Sequence, residues 1–475
     1  MKYLSIIFAG TILALTLTSA KPEKDYYSET YRPQFHFSPE TGRHVTTSGL
    51  LYYDSEYHMF YQYLPNNANN SADLEWGHAS SKNMVNWKHN PVTFNAENCK
   101  ILSSSIIIDE NNTLGKQTGA EKTLLMFNIS QSCGLRIAYS TNKGIMWNNL
   151  EKNPVMPHSE ADNMRDPNIF WHEQTQKWIM VLNREINDNS RGASIYSSNN
   201  LINWEWESDI ANLKGTPSLV SIKVANRPEE TKWILFDEDG SYIIGDFDGE
   251  TFSPETAKAA SDYGINYFAP KTWNYIPAED GRIIQIAWMN GENYYPNMPF
   301  SGQMTFPAEL KINKLNSEYK LTKLPVREIA SLHGKHHNFT DKNIIPGLNY
   351  NPLKNIKGEC FHIIAEFDVK TSNNFGFMIR NGRKDIGTEI LYNVTNETLS
   401  VFGTTVPVQL IDNKISIEIL IDRASIEVFA NGGQVTITNN FTPVEGANGY
   451  ILYNNGGELM IKKMDIYAIN TAWGK

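Results

Sequence analysis

Short runs in which apolar and polar residues alternate recur along most of the chain. Examples are EYHMFYQY, KWIMVL, KWILFDE, RIIQIAWM and SIEVFA, and clusters of Gly, Asn, Asp and Pro separate such runs. Alternation with a period of two is typical of strands that bury one face. Long stretches of helical period are absent after the first 20 residues. The pattern therefore predicts an all-β protein.

Three of these regions share a repeated pattern of Ser, a small residue, Asn and then Trp. The segments ASSKNMVNWKH, AYSTNKGIMWNN and IYSSNNLINWEW place tryptophans at positions 87, 147 and 204, roughly 60 residues apart. Repeats of this length, with several short strands in each, are typical of β-propeller blades. The alternative is that the three segments are unrelated hairpins.

The strand pattern is interrupted once, in PVREIASLHGKHHNFTDKNII. This stretch carries charge, histidines and at most one short helix, and we interpret 326–345 as a linker between two domains. Six or more short strands then follow within about 125 residues, which is typical of a β-sandwich. The prediction is a propeller over 25–325 and a sandwich over 346–472.

The first 20 residues predict secretion. MKYLSIIFAGTILALTLTSA has one Lys, an apolar run and small residues ending at Ala20, as in a secretory signal peptide cleaved there. A membrane anchor is the alternative, but the apolar run is short. Asn-x-Ser/Thr acceptors support an extracellular glycoprotein. They begin at Asn69, Asn111, Asn128, Asn338, Asn393, Asn396 and Asn440.

Cysteine content and charge exclude several classes of protein. The chain has three cysteines, so at most one internal disulfide forms, and the separation along the chain favours Cys99 with Cys133 over pairs that use Cys360. No Cys or His spacing is typical of a zinc site, and we expect no metal or other cofactor. A net charge of −10 argues against nucleic acid or an anionic membrane as a partner.

A secreted β-protein rich in Trp and Tyr suggests a carbohydrate ligand, and the motifs then become recognisable. In order, YRPQFHFSP, YHMFYQY, EWGHASSKNMVNWKH, MRDPNIFWH, GDFDGETF, YFAPKTW, GQMTFPAEL and DRASIEVFANGGQ resemble glycoside hydrolase family 32, the invertase, inulinase and levanase group. The resemblance implies a five-bladed propeller followed by a sandwich. It also implies cleavage of β-fructofuranosides such as sucrose by two carboxyl groups about 5–5.5 Å apart.

The resemblance also shows where the catalytic groups should lie, and two of them are replaced. The family's nucleophile is the Asp of WMNDPNG, and alignment of RHVTTSG on Gly42 and Gly49 places Thr46 there. The family's acid/base is the Glu of a Glu-Cys-Pro motif. A looser alignment on Pro217 places Gly215 at the position of this Glu. The nearest upstream acids, Glu205, Glu207 and Asp209, are not expected to reach the pocket.

The third family acid is retained. Asp166 in MRDP occupies the position that binds fructose hydroxyls and stabilises the transition state, with a structural salt bridge as the alternative role. Gln62, Trp76, Ser103 and Arg165 match other substrate-binding positions. Further positions depart from the family pattern, namely Ser71 for a Trp, Asn266 for an Asp, and Phe300-Ser301 for Trp-Arg.

Three functions are compatible with this sequence. The first is a secreted, catalytically inactive family member that binds carbohydrate or a protein partner. The second is an active β-fructofuranosidase or fructan hydrolase with relocated catalytic groups, which needs two facing carboxylates near Thr46 and Gly215. The third is an interaction protein that uses the face of the sandwich and has no sugar site. The loss of both catalytic carboxylates favours the first function, because such groups act as a unit.

Overall fold

The computed structural model describes residues 26–474, apart from 66–73, 98, 131, 158–163, 188–189, 292–294, 296, 348–349 and 383–386. The predicted signal peptide lies outside the described residues, as do Asn69 and Ser71. Within the described part the chain is all-β, as the alternating pattern predicts, with one short 3-10 helix at Arg327–Leu332. No helix of the described part is long and apolar enough to span a membrane.

Within the described part, residues 42–325 form five blades, each built on four main antiparallel strands. Blade 1 contains β1 (Gly42–Tyr53), β2 (Glu56–Leu64), β3 (Glu75–Ser81) and β4 (Lys88–Asn90). The short β5 (Thr93–Phe94) joins the edge of blade 2, which contains β6 (Ile101–Asp109), β7 (Thr123–Ser130), β8 (Gly134–Ser140) and β9 (Met146–Asn149). Blade 3 contains β10 (Arg165–His172), β11 (Lys177–Asn187), β12 (Ser190–Ser198) and β13 (Glu205–Ala211).

Blades 4 and 5 complete the propeller. Blade 4 contains β14 (Ser218–Val224), β15 (Arg227–Phe236), β16 (Ser241–Phe247) and β17 (Phe252–Pro254), with β18 (Ala259–Ala260) also paired to β16. Blade 5 begins with β19 (Phe268–Thr272) and β20 (Ile283–Met289), and the two-residue β22 (Gln303–Met304) pairs with β20. The two-residue β21 (Phe300–Ser301), which lies between β20 and β22 in the sequence, pairs in parallel with β1 of blade 1. It ends with β23 (Ala308–Leu315) and β24 (Glu318–Pro325).

The Ser-x-Asn-Trp repeat forms the same turn in blades 1, 2 and 3. In blade 1 the side chain of Asn83 accepts hydrogen bonds from the backbone N–H of Val85, at 3.1 Å, and of Asn86, at 2.9 Å. Asn142 and Asn200 accept equivalent backbone bonds in blades 2 and 3. Each turn leads into the outermost strand of its blade. The repeat therefore reflects blade structure, and the alternative of unrelated hairpins is wrong.

The innermost strands of the five blades, β1, β6, β10, β14 and β19, line one narrow central channel. A cavity of about 30 Å³ lies among them. Neighbouring inner strands run in the same direction, because Ser103 and Ser105 of β6 accept hydrogen bonds from the backbone N–H of Asp166 and Ile169 of blade 3, respectively. The first residues of all five strands therefore meet at one mouth of the channel.

Two sheets follow the propeller and enclose a second apolar core, as predicted for a β-sandwich. One sheet contains β25 (His333–Ile344), β26 (Phe361–Asp368), β31 (Lys414–Ile421), β32 (Ser425–Ala430), β33 (Val435–Asn440) and β35 (Leu459–Ile469). The other contains β27 (Asn374–Asn381), β28 (Thr388–Asn393), β29 (Thr398–Val401), β30 (Thr404–Pro407) and β34 (Gly449–Asn454).

The interpretation of 326–345 as a linker is wrong over most of its length. Only 327–332 forms the short helix, and the following residues form β25, which pairs along β35 at the edge of the six-stranded sheet. β25 pairs along one side only and exposes most of its side chains, so it can be rich in charge and histidine without an apolar alternation.

The disulfide joins Cys99 and Cys133, the pair that the sequence favours, and Cys360 has a free thiol. One expected glycosylation acceptor is inaccessible in the folded chain. Asn128 lies in β7 of blade 2 and is 1% exposed, because its side chain is covered by neighbouring strands. The sequence motif alone carries no information on this burial.

A buried histidine joins the segment before blade 1 to the sandwich. Both ring nitrogens of His36 face carboxylates, with Nδ1 2.8 Å from Asp422 Oδ2 and Nε2 2.8 Å from Glu427 Oε1. The same carboxylates accept backbone N–H groups of the propeller domain, from Gln34 at 2.8 Å and from Phe306 at 2.7 Å. Burial disfavours the charged ring, but the two carboxylates outweigh it and raise the pKa of His36 to about 9.

We predict that this imidazolium makes the stability of the chain fall at alkaline pH. Its pKa rises from 6.5 to about 9 on folding, so its contribution is complete below pH 6.5 and is lost as the pH rises through 9. The shift corresponds to about 3 kcal/mol. Urea unfolding should show that His36→Gln lowers the free energy of unfolding at pH 6 by about 3–5 kcal/mol, since it leaves two buried carboxylates unpaired.

At pH 10 the difference in unfolding free energy between His36→Gln and wild type should become smaller. Tyr295 and Cys360 also lie near Asp422, so the comparison uses the difference between the two proteins rather than the wild-type curve alone. A difference that stays constant from pH 6 to pH 10 would contradict a charged His36.

Candidate active site

Thr46, which the family resemblance aligns with the nucleophile, lies in a row of side chains across blade 1. Thr46 of β1 pairs directly with Gln62 of β2, and Gln62 pairs with Trp76 of β3. Residues that are directly opposite in antiparallel strands present their side chains on the same face. The structure thus brings together three residues that the family resemblance assigns to the pocket. Thr46 stands two residues before Ser48, which lines the channel.

Asp166 lies at the same mouth, where β10 begins. Its backbone has a φ of 53°, a left-handed conformation that Asp tolerates better than most residues. The hydroxyl of Ser103 accepts the backbone N–H of Asp166 at 2.7 Å. Ser103, predicted to bind substrate, therefore also holds Asp166 in place. The Arg165 guanidinium lies beside the Asp166 carboxylate, with Nε 3.4 Å from Oδ2.

Asp237 holds the loop that contains Gly215 against the turn between β15 and β16. Its side chain is buried, and it accepts the backbone N–H groups of Lys214, Gly215 and Glu238 at 2.8–3.0 Å. The Lys258 ammonium donates to the same carboxylate at 2.6 Å. These four donors place the Glu238 backbone next to Gly215, whose carbonyl oxygen accepts the Glu238 N–H at 3.0 Å.

The carboxylate of Glu238 lies where a side chain at position 215 would project. A Cβ atom on Gly215 would come within contact distance of Glu238 Oε2, 2.8 Å from Glu238 Cδ and 3.0 Å from Nη2 of Arg165. The mouth of the channel therefore carries a carboxylate beside Gly215, the residue that the family resemblance aligns with the acid/base, and a different strand end supplies this carboxylate. No motif marks Glu238, and the acids considered from the sequence were those before Gly215 rather than after it.

The acids before Gly215 are far from the mouth, because they lie on β13, the outermost strand of blade 3. Glu207 accepts a hydrogen bond from Ser197 and Asp209 accepts one from the Nε1–H of Trp206. Lys214, next to Gly215, is largely exposed and pairs with Asp239 at 2.8 Å.

The two carboxylates at the mouth share one guanidinium group. Arg165 contacts Asp166 through Nε and Glu238 through Nη2, the latter at 3.7 Å from Oε2. Burial raises the pKa of Glu238, Arg165 opposes the rise, and the negative charges of Asp166 and Asp237 add to it. Burial lowers the pKa of Lys271, and the nearby carboxylate of Asp166 opposes that change.

Polar atoms beside the blade 1 row lack protein hydrogen-bond partners among the described residues. They are Oε1 of Gln62, both ring nitrogens of His44 and Nε1 of Trp288. Burial lowers the pKa of His44 to about 3, so its ring is neutral at physiological pH. A buried polar atom without a partner costs about 1–3 kcal/mol.

Two positions that depart from the family pattern have structural roles here. The Asn266 side-chain oxygen accepts the backbone N–H of Asn440 of the sandwich at 2.9 Å. Phe300 is buried under Arg32, whose guanidinium carbon lies 3.7 Å from the ring centre, and Ser301 pairs with Arg43 in β1. Among the described residues, no group of His, Cys, Asp and Glu side chains is placed to hold a metal ion.

Comparison with known proteins gives consistent matches over both domains. The family model described as "Glycosyl hydrolases family 32 N-terminal domain" matches residues 36–325, and "Glycosyl hydrolases family 32 C terminal" matches 328–468. A levanase of Bacillus subtilis (strain 168) is 32% identical over an alignment of 514 residues. The alignment covers 99% of this chain and 75% of the levanase.

Fungal proteins are similar in sequence and in structure. An extracellular exo-inulinase of Aspergillus niger is 26% identical over 528 residues, covering 94% of this chain and 96% of the inulinase. The crystal structure of exo-inulinase from Aspergillus awamori matches with a TM-score of 0.82 and 25% identity, covering 94% of this chain and 100% of that chain.

We predict that Asp237→Asn loosens the Gly215 loop. The substitution replaces an acceptor oxygen by an NH₂ group and removes the charge that pairs with Lys258. Hydrogen bonds to charged groups contribute about 1.5–3 kcal/mol each, so the free energy of unfolding should fall by at least about 2 kcal/mol in urea titrations. Asp54→Asn is the matched control, because its exposed ion pair with Lys143 contributes less than about 1 kcal/mol. Equal losses in the two variants would contradict this role for Asp237.

Proposed function

Because the chain belongs to glycosyl hydrolases family 32, we propose that it is a secreted protein that binds terminal fructosyl units of sucrose or fructans without hydrolysing them. The observation that carries the proposal is the contrast across the mouth of the channel. The ligand-facing positions Gln62, Trp76, Arg165 and Asp166 keep the residue types of the family, whereas the nucleophile position has the neutral Thr46.

The binding part of the proposal is supported by the chemistry of the mouth. Fructosyl hydroxyl groups need acceptors and donors in fixed places, and Asp166 and Arg165 offer both. The half-buried ring of Trp76 supplies an apolar surface in the same row. A fructofuranosidase of Schwanniomyces occidentalis with this fold was solved in complex with fructose, which supports fructose as the first ligand to test.

The absence of hydrolysis follows from what a retaining mechanism needs. The nucleophile must be an anion that forms an ester with the sugar. A threonine hydroxyl is neutral, and the blade 1 row that contains Thr46 carries no carboxylate within the described residues. Loss of one member of a catalytic set commonly costs several orders of magnitude in rate.

A hydrolase with relocated catalytic groups is the second candidate, and Glu238 is the observation that favours it. Glu238 replaces the carboxyl group missing at Gly215, so only the nucleophile remains without a substitute. Secretion and glycosylation are part of the proposal as expectations from the first 20 residues and the Asn-x-Ser/Thr motifs. The extracellular exo-inulinase of Aspergillus niger supports secretion.

We predict that purified protein binds sucrose or levan in isothermal titration calorimetry and releases no fructose from either. Asp166→Asn should weaken the binding at least about tenfold, because it removes a charged acceptor worth about 1.5–3 kcal/mol. Glu205→Gln on the exposed outer strand of blade 3 is the matched control and should bind as the wild type does.

Two results would overturn the proposed function in different ways. Release of fructose from sucrose or levan by the wild type would support the hydrolase. Absence of any saturable heat with fructose, sucrose, inulin and levan would support an interaction protein without a sugar site.

A further inference from the structure

We propose that Glu238 is the proton donor of this pocket, with its carboxyl group in the space that a side chain at position 215 would fill. The inference rests on the proposed function, since it takes the mouth of the channel as the site of a fructosyl unit. It assigns the proton-donating carboxyl group to the β15–β16 turn, whereas the family pattern places this group before β14. The pocket then lacks a single group, the nucleophile.

The position of Glu238 is fixed by its backbone rather than by its side chain. Its N–H donates to the carbonyl oxygen of Gly215 at 3.0 Å, and its own carbonyl oxygen accepts the N–H of Ala269 in β19 at 2.7 Å. The carboxylate of Asp237 fixes the same turn and the Gly215 loop. The turn is thus held between the inner strands of blades 4 and 5, so the side chain starts from a rigid base.

The Glu238 carboxyl group itself is free to exchange a proton. Among the described residues it has one ion pair, with Arg165 at the long distance of 3.7 Å, and 22% of its side chain is exposed. Burial and the negative charge of Asp166 raise its pKa. Two neighbouring carboxyl groups whose surroundings differ in this way divide the work of an acid and an anion. Of the two carboxyl groups, Asp166 lies closer to the Arg165 guanidinium, at 3.4 Å against 3.7 Å for Glu238.

The missing nucleophile can be supplied in two ways, and the bonds balance in both. In Thr46→Asp, the new carboxylate attacks C2 of the fructosyl unit, the C2–O bond to glucose breaks, and Glu238 protonates the leaving oxygen. Water, deprotonated by Glu238, then hydrolyses the ester. In Thr46→Gly with added azide, the azide nitrogen bonds to C2, glucose leaves with the proton of Glu238, and solvent returns that proton.

The experiment measures glucose release from sucrose by Thr46→Asp and by Thr46→Gly with sodium azide. We expect turnover in at least one of these variants. The rate of glucose release should then fall about 10²–10⁴-fold when Glu238→Gln is added, as for loss of a general acid. With p-nitrophenyl β-fructofuranoside the leaving group needs no proton, so the same addition should change the rate of the first step less than about tenfold.

Controls separate proton transfer from a structural role. Asp239→Asn, one residue further along the turn, should leave the rate unchanged in the Thr46→Asp background. Gly215→Ala should lower it, because the added methyl group displaces the Glu238 carboxyl. The alkaline limb of the pH–rate profile on sucrose should disappear with Glu238→Gln. A merely structural effect would lower the rates on both substrates equally at every pH.

The outcomes distinguish this inference from the proposed function. If sucrose binds to both Thr46 variants and neither releases glucose, or if Glu238→Gln affects both substrates equally, Glu238 is not the proton donor, and binding without hydrolysis still stands. If the wild type itself hydrolyses sucrose, the proposed function fails. In that case the Glu238→Gln comparison of the two substrates still decides the role of Glu238.

Discussion

The convergence of five inner strands on one narrow channel is the constraint on which the rest of the propeller depends. Because the strands run in the same direction, their first residues meet at one mouth, although those residues lie far apart in the sequence. Ser103, Asp166 and Gly215 belong to three different blades and still contact common neighbours. The channel is too narrow to admit a sugar, so ligand chemistry is confined to its mouth. A change in any one blade start therefore alters the surroundings of the other four.

The fold could be predicted from the sequence because the patterns that indicate it are local and repeated. Alternation marks single strands, and the Ser-x-Asn turn before Trp87, Trp147 and Trp204 marks corresponding places in three blades. The edge strand β25 was missed for a physical reason. It shows most of its side chains to solvent, so the apolar alternation that identifies a strand is absent there. The count of five blades came from the family resemblance and not from the repeat, which is visible in three.

Only part of the candidate site could be predicted from the sequence. Thr46, Gln62, Trp76 and Asp166 lie in short motifs, so alignment locates them, and the strand register places the first three of them in one row. Glu238 has no such motif. It follows an ordinary apolar strand, and its proximity to Gly215 arises from the bonds that Asp237 makes across two chain segments. Because this proximity depends on one buried side chain that bonds two separate chain segments, the sequence contains no periodic or regularly spaced pattern that indicates it.

The close approach of Gly215 and Glu238 has a consequence for how this site can change by mutation. The space at the mouth admits one of the two side chains, so the residue tolerated at each position depends on the other. A glutamate introduced at position 215 while Glu238 is present has to displace a buried carboxylate of like charge. Shortening residue 238 first leaves the mouth without a carboxyl group there. In either order, the intermediate variant has a less favourable mouth than both end states, with either two carboxylates in one space or none at that place. The two positions therefore form an epistatic pair that single substitutions cannot exchange.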